Sequence, residues 1–259
     1  MNDDDRLILR RTFTEDAALY DRTRPGYPAA MFEHIPEGSR VLEIGCGTGQ
    51  ATVALAGRGC AVTAVELGAE MAALARRKLA RFTGVEVVNA AFEEWPLPPE
   101  RFDVVFAATS FHWLDPATRV SRSADALRAD GLLAVVSTEH VAGGSEAFFA
   151  EVQRCYERWD PATPPGLRLT PANDIPYDSG EIDDSGRFGP VRFHRYEWDH
   201  AYTTREYLDL LNTYSGHRAL PDEARTGLLG CIAALIDGRY GGRIVKRYLT
   251  QLALARKLG

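Results

Sequence analysis

The chain has 259 residues, 45% of them hydrophobic, and a formal net charge of −6. That length and apolar content suffice for one large core and exclude disorder as a description of the whole. An acidic balance with no basic run argues against a nucleic-acid backbone or an anionic membrane as the main partner and leaves a small molecule.

The opening Met1-Asn2-Asp3-Asp4-Asp5 is acidic where a signal peptide is basic. No apolar stretch approaches the roughly 20 residues of a membrane span, so a cytoplasmic protein without a membrane partner is expected. Cys46, Cys60, Cys155 and Cys231 show no C-x-x-C spacing. That pattern suggests neither a zinc site nor a disulfide framework, and reduced thiols are expected.

From Tyr20 to Pro28 the chain is dense in turn formers and aromatics, ahead of a first helix over 29–35. Residues 41–50, Val-Leu-Glu-Ile-Gly-Cys-Gly-Thr-Gly-Gln, then read as a buried strand, a glycine-rich turn and the start of a helix over 50–56. Such a turn makes a ligand pocket, because glycines let a ligand lie on the backbone while the helix aims its free amides there. A dinucleotide fingerprint, G-x-G-x-x-G, needs its third glycine at position 50, where Gln50 stands. Glu43, two residues before the first glycine, repels a phosphate and suits a ligand carrying an ammonium and a sulfonium.

Strand and helix then alternate: strand 61–66, helix 69–82, strands 85–89 and 103–108, helix 116–128, strand 132–138. That order predicts a parallel, doubly wound sheet, with the continuously apolar runs at 104–107 and 132–136 near its centre. The basic residues Arg76, Arg77, Lys78 and Arg81 suit a helix C-terminus and need no partner. A helix from Ser145 ends before Pro161, and 160–190, rich in Pro, Gly and Asp, breaks the alternation. A strand over 191–200, helices over 204–215 and 221–238, and a long strand over 243–255 close the chain. The last could also be helical, but Gly241-Gly242 punctuates it and favours strand.

Ligands of open parallel sheets lie beyond the carboxyl ends of the strands. Glu66 ends the second strand about 20 residues past the first glycine, where a carboxylate accepts both ribose hydroxyls. Leu67 and Met71 could cover an adenine edge. The fourth strand ends in Thr109-Ser110-Phe111-His112-Trp113, a polar and aromatic cluster at the crevice mouth where an acceptor fits. His112 could orient or deprotonate that acceptor, or only hydrogen-bond the loop.

Glu43, Gly45, Gly47 and Gly49 form an E-x-G-x-G-x-G run that resembles motif I of the class I, Rossmann-like, S-adenosylmethionine (SAM)-dependent methyltransferases. The Ser-Phe-His-Trp strand end followed by Asp115 resembles the small type 11 enzymes and the trans-aconitate methyltransferases. The resemblance covers 13–140 by motif and 190–257 by general topology. It implies a mostly parallel seven-stranded sheet with helices on both faces, a C-terminal antiparallel strand and an inserted helical and irregular lobe. One domain over 1–259 would hold a SAM-binding core at 36–140, an acceptor-site lobe at 143–189, and the rest of the sheet and helices at 190–259.

By the same resemblance the segment around Tyr20 folds over the cofactor, with Arg24 toward its methionine carboxylate and Tyr20 toward the sulfonium; Arg22 is left at the surface. Cys46 belongs to the cofactor loop, and Thr109 and Ser110 border it. The aspartate that related enzymes place against adenine falls on Ala91, so backbone groups of Ala91 and Phe92, with the Phe92 ring, are expected there. Glu93 is a weaker candidate. Phe111, His112 and Trp113 would meet the acceptor. Of the aromatics Trp159, Tyr177, Trp198, Tyr202, Tyr207 and Tyr214, most are expected in the lobe core and one or two at the acceptor.

Methyl transfer from a sulfonium is an in-line displacement with a good leaving group, so neither metal nor triad is required. No Asn-Pro-Pro-Tyr follows the fourth strand, which disfavours base methylation and leaves a carboxylate, hydroxyl or carbon on a small acceptor. A monomer or homodimer is expected. The rival readings are an NAD(P)-dependent oxidoreductase on the same fold and a SAM-binding module without catalysis.

Overall fold

A computed structural model describes residues 16–259. The expectation for the opening residues falls outside that range. Strands β1 (Arg40–Ile44), β2 (Ala61–Glu66), β3 (Val85–Asn89), β4 (Phe102–Ala108), β5 (Leu127–His140), β6 (Arg192–Thr203) and β7 (Arg243–Arg256) form one sheet in the order β3-β2-β1-β4-β5-β7-β6. β1 to β5 run parallel. β7 is antiparallel to both β5 and β6. The seven strands, the doubly wound order and the antiparallel C-terminal strand match the sequence reading.

Alternation along each strand sends successive side chains to opposite faces. Val41, Val62, Val104 and Phe106 join one core with Met31, Leu55 and Leu79. Leu42, Val65, Val105 and Leu133 join a second core on the other face with Val120 and Ala124. The first four helices are α1 (Ala17–Thr23), α2 (Gln50–Gly57), α3 (Ala69–Leu79) and α4 (Arg119–Ala126). They are followed by α5 (Glu146–Glu151), α6 (Gln153–Trp159), α7 (Gly180–Asp184), α8 (Thr204–Leu211), α9 (Ser215–Arg218) and α10 (Asp222–Arg239). A third core joins Phe148, Cys155, Tyr207, Ile232 and Ile236 to Ile244 and Tyr248 of β7. Among the described residues no helix is long and apolar enough to cross a membrane.

Several expectations need correction. Tyr20 to Thr23, read as turn, complete α1, whose N-cap Asp16 accepts the Leu19 amide. The helix expected over 29–35 is a single 3-10 stretch, Ala29–His34. The helix expected over 145–159 breaks at Val152 into α5 and α6. Lys78 does have a partner, Asp21, at 2.7 Å. Tyr177, expected in the lobe core, is exposed at 59% and packs on Phe193 and Arg195 instead.

The cysteine expectation also fails: Cys155 and Cys231 form a disulfide that ties α6 to α10, their Cα atoms 5.7 Å apart. The pair is 76 residues apart in sequence. Linear spacing carries no trace of a contact created by packing two helices. Closing so long a loop restricts the unfolded chain, so a Cys155→Ser/Cys231→Ser variant should lose about 2–4 kcal/mol of stability. Urea unfolding with and without reductant checks it: reduced wild type should fall to the variant's midpoint.

Candidate functional site

Above the carboxyl ends of the parallel strands lies a cavity of about 440 Å³. β1 enters it through the glycine loop, in which Gly45, Gly47 and Gly49 hold φ of +68°, +56° and +83°. That left-handed region costs other residues about 1–2 kcal/mol each. Space adds a second constraint. A Cβ on Gly45 would stand 2.6 Å from Ser110 Cβ, and one on Gly49 2.9 Å from Leu79 Cδ1. The missing side chains at Gly45 and Gly49 therefore make room for protein, and the sequence expectation that they make room for ligand is corrected. Gly45, Cys46 and Gly47 border the cavity; Gly49 does not, and serves as N-cap of α2.

α1 and the turn after it close one side. Asp21 accepts from the Thr48 hydroxyl at 2.7 Å and from Lys78 Nζ at 2.7 Å, pinning α1 to the glycine loop and to α3. Gln50 Nε2 donates to the Arg24 carbonyl at 3.0 Å. The residue that breaks a dinucleotide fingerprint thus fastens this cover. Tyr20 and Arg24 both face the cavity, as expected, while Arg22 is exposed outside it. Arg24 donates through Nε and Nη2 to Thr213 and stacks over Tyr20 and Tyr214.

Two carboxylates sit at the loop. Glu66 accepts the Gly47 amide at 2.8 Å on one oxygen and the Gly68 amide at 2.7 Å on the other. Glu43 is 1% exposed, and its Oε2 has no hydrogen-bond partner. Burial pushes its pKa up to about 7, against a lowering by the adjacent Thr52 hydroxyl, which forms no geometrically complete bond to it; the nearby Glu66 charge raises it further. Leu67 and Met71 line the wall beside Glu66.

The adenine expectation is partly displaced. Ala90 and Phe92 line the cavity, but Ala91 does not: its carbonyl accepts from Glu94 and Trp95 in a turn. The Phe92 carbonyl is held by Arg122 at 2.7 Å. Glu93 caps the Asp115 amide at 3.3 Å, a structural duty. Sequence alignment of the loop could not see which backbone groups its turn consumes.

After β4, Thr109 takes φ +52°, and its hydroxyl is 3.0 Å from Tyr27 Oη. Ser110 donates to the Ile44 carbonyl. Both border the cavity, as do His112 and Trp113. Phe111 does not; it is 7% exposed, belongs to the second core and lies under Arg119. The 3-10 turn Phe111–Trp113 rotates it inward. The His112 ring is exposed toward the cavity mouth, and no group among the described residues hydrogen-bonds to it. Partial desolvation, then the Arg119 charge, lowers its pKa, so the ring is neutral at physiological pH.

The far wall comes from residues the sequence reading did not single out. His140 ends β5 and pairs in register with Tyr248 of β7. Lys246, Tyr248 and Tyr214 complete this end. β7 runs antiparallel, so its first residues, and not its last, reach the ligand edge. Inspecting only strand ends misses them. Tyr214 does meet the expectation that a late aromatic lines the pocket. No residue of 143–189 lines this cavity; α5 and α6 contribute to the third core.

Known proteins align with this arrangement. Residues 42–135 match the family described as a methyltransferase domain. An uncharacterized methyltransferase of Mycobacterium tuberculosis is 28% identical over 234 residues, 89% of this chain and 88% of its own. Trans-aconitate 2-methyltransferase of Afipia carboxidovorans is 33% identical over 137 residues, 51% of each chain. A solved structure from Anaeromyxobacter dehalogenans, provisionally a type II methyltransferase, superposes with a TM-score of 0.64 at 23% identity, covering 91% of this chain and 98% of that one. The fold is that of the class I methyltransferases. The methyltransferase domain match lies within residues 42–135, and with its methyltransferase relatives it makes the chain a methyltransferase.

The buried histidines set an acid limit. Burial, with the Lys246 charge, takes His140 down to about 2, and burial takes His217 to about 4. Both folded values lie below the unfolded one near 6.5, so stability is present above that pH and is lost as the pH falls. Each histidine should add up to about 1.4 kcal/mol per pH unit to the acid slope. Urea midpoints at about pH 7, 6 and 5 measure it. His140→Phe should flatten the slope by one proton.

Proposed function

We propose that this protein moves a methyl group from S-adenosylmethionine to a small-molecule acceptor. The observation that carries the reading is Glu43: a buried carboxyl with an unpartnered oxygen, at the head of a glycine loop, on a cavity wall. A phosphate would meet both it and Glu66 as repulsion. An ammonium or sulfonium would meet them as partners.

The residues present fit such a nucleoside. Glu66 is placed for the ribose hydroxyls, Leu67, Met71, Ala90 and Phe92 for the adenine, and Arg24 with Tyr20 for the methionine end. When bound, S-adenosylmethionine supplies a methyl carbon on a cationic sulfur that leaves as a neutral thioether. The chain's own task is to align and to exclude water, which α1 and the turn to Tyr27 do by covering the loop. His112 and Trp113 border the route to the acceptor. With no partner to orient its ring, His112 serves as wall more than as base. The cavity continues past the loop to Lys246, which supports an enzyme over a module that only binds cofactor.

Calorimetry with S-adenosylhomocysteine tests the reading. Glu66→Ala should weaken binding at least tenfold, about 1.4 kcal/mol. Because Glu43 titrates near 7 in the free protein and a cationic ligand favours its ionised form, affinity should rise from about pH 6 to about pH 8. Glu43→Gln should remove that rise. No binding heat with S-adenosylhomocysteine, or tight binding of NADH instead, would overturn the proposal.

A further inference from the structure

Lys246 is only 4% exposed, yet no carboxylate among the described residues pairs with it. Its Nζ donates to Tyr214 Oη at 2.9 Å and stands 5.2 and 5.0 Å from the Tyr214 and Tyr248 ring centres. An ammonium has three donors, and one hydrogen bond with two aromatic faces repays only part of the cost of burying it. Arg24 adds a second cation 4.5 Å from the Tyr214 ring centre, held through Thr213 without a carboxylate among the described residues. His140, beside Tyr248, has a buried Nε2 with no partner. Glu139, also on the wall, is exposed and forms no ion pair with either cation.

Lys246, Arg24, Glu139, His140, Tyr214 and Tyr248 all line the cavity that Glu43 and Glu66 also line. A bound anion gives the buried ammonium the charged partner that the described residues do not supply. A neutral acceptor would leave the ammonium unmatched; a phosphate would add a second charge against Glu43 and Glu66 in the same space. We propose that Lys246 is the anchor for a carboxylate of the acceptor, so that the substrate is a small carboxylic acid bound as its anion. The inference rests on the methyltransferase reading and names its substrate class. A carboxylate is already ionised, so the site needs no general base, in keeping with the unoriented His112.

The S-adenosylhomocysteine complex is titrated with benzoate, malonate and trans-aconitate, each against its amide. At least one carboxylate should bind tenfold or more tighter than its amide. Lys246→Met should abolish that preference while leaving S-adenosylhomocysteine affinity within twofold. Lys246→Arg, which keeps the charge, should retain it. Cofactor affinity in both variants also reports that they fold. Equal binding of every acid and amide to wild type would overturn the proposal, as would an undiminished preference in Lys246→Met. A tenfold loss of S-adenosylhomocysteine affinity in folded Lys246→Met would give this lysine to the methionine carboxylate and overturn it too. Failure of S-adenosylhomocysteine to bind wild type is the separate failure of the cofactor reading.

Discussion

One carboxylate bridges the two amides that define the cofactor end of the cavity. Glu66, at the tip of β2, holds the Gly47 amide of the first loop and the Gly68 amide of its own. Charge-assisted bonds of this kind are about twice as strong as neutral ones. They set the spacing of β1 and β2 at their ends, where the ladder between Ile44 and Val65 stops. The rest of the site is referenced to that loop. Asp21 fixes α1 to it through Thr48, Gln50 fixes the Arg24 carbonyl, and Ser110 reaches the Ile44 carbonyl from β4. Glycine takes left-handed backbone at these three alternate positions without a Cβ penalty, and these contacts select that conformation from the many open to it.

The cavity is polarised along its length. Two carboxyls stand at the glycine loop, and Lys246 stands on the β7 wall, with Arg24 bonded to Thr213. In a low-dielectric space such separation costs solvation energy at both ends. The pKa directions record that cost: Glu43 is pushed up and His140 down. A pair of ligands with complementary charge, a cationic nucleoside and an anionic acceptor, relieves both ends and brings opposite charges together between them. Groups that destabilise the free fold are thereby turned into binding determinants.

Most of the first half was legible in the sequence because its determinants are local. β2 and β3 fall at 61–66 and 85–89 as the apolar pattern predicts. The glycine run and the Gln50 break are read directly from spacing. What escaped was fixed by contacts between distant segments. Phe111 was drawn into the core by a one-turn 3-10 rotation, and the Ala91 carbonyl was consumed by a turn. The Cys155–Cys231 bond arises only when α6 meets α10. Lys246 was invisible for a related reason. In sequence it is one lysine in an alternating strand, and only antiparallel pairing brings its end of β7 beside His140.

That topology separates two tasks in the chain. Residues 20–114 build the cofactor end from the tips of successive parallel strands. The opposite wall is assembled from the end of β5, the turn at Tyr214 and the start of β7, segments that pack on the third core. The Arg24 bonds to Thr213 join the two halves, and α1 also packs against α8. Changing side chains on the second wall leaves the Glu66 grip and the left-handed loop untouched, since no hydrogen bond of that grip involves β7. A fold built this way can alter its acceptor without rebuilding its cofactor site, because the antiparallel strand supplies wall positions that carry no part of the glycine-loop geometry.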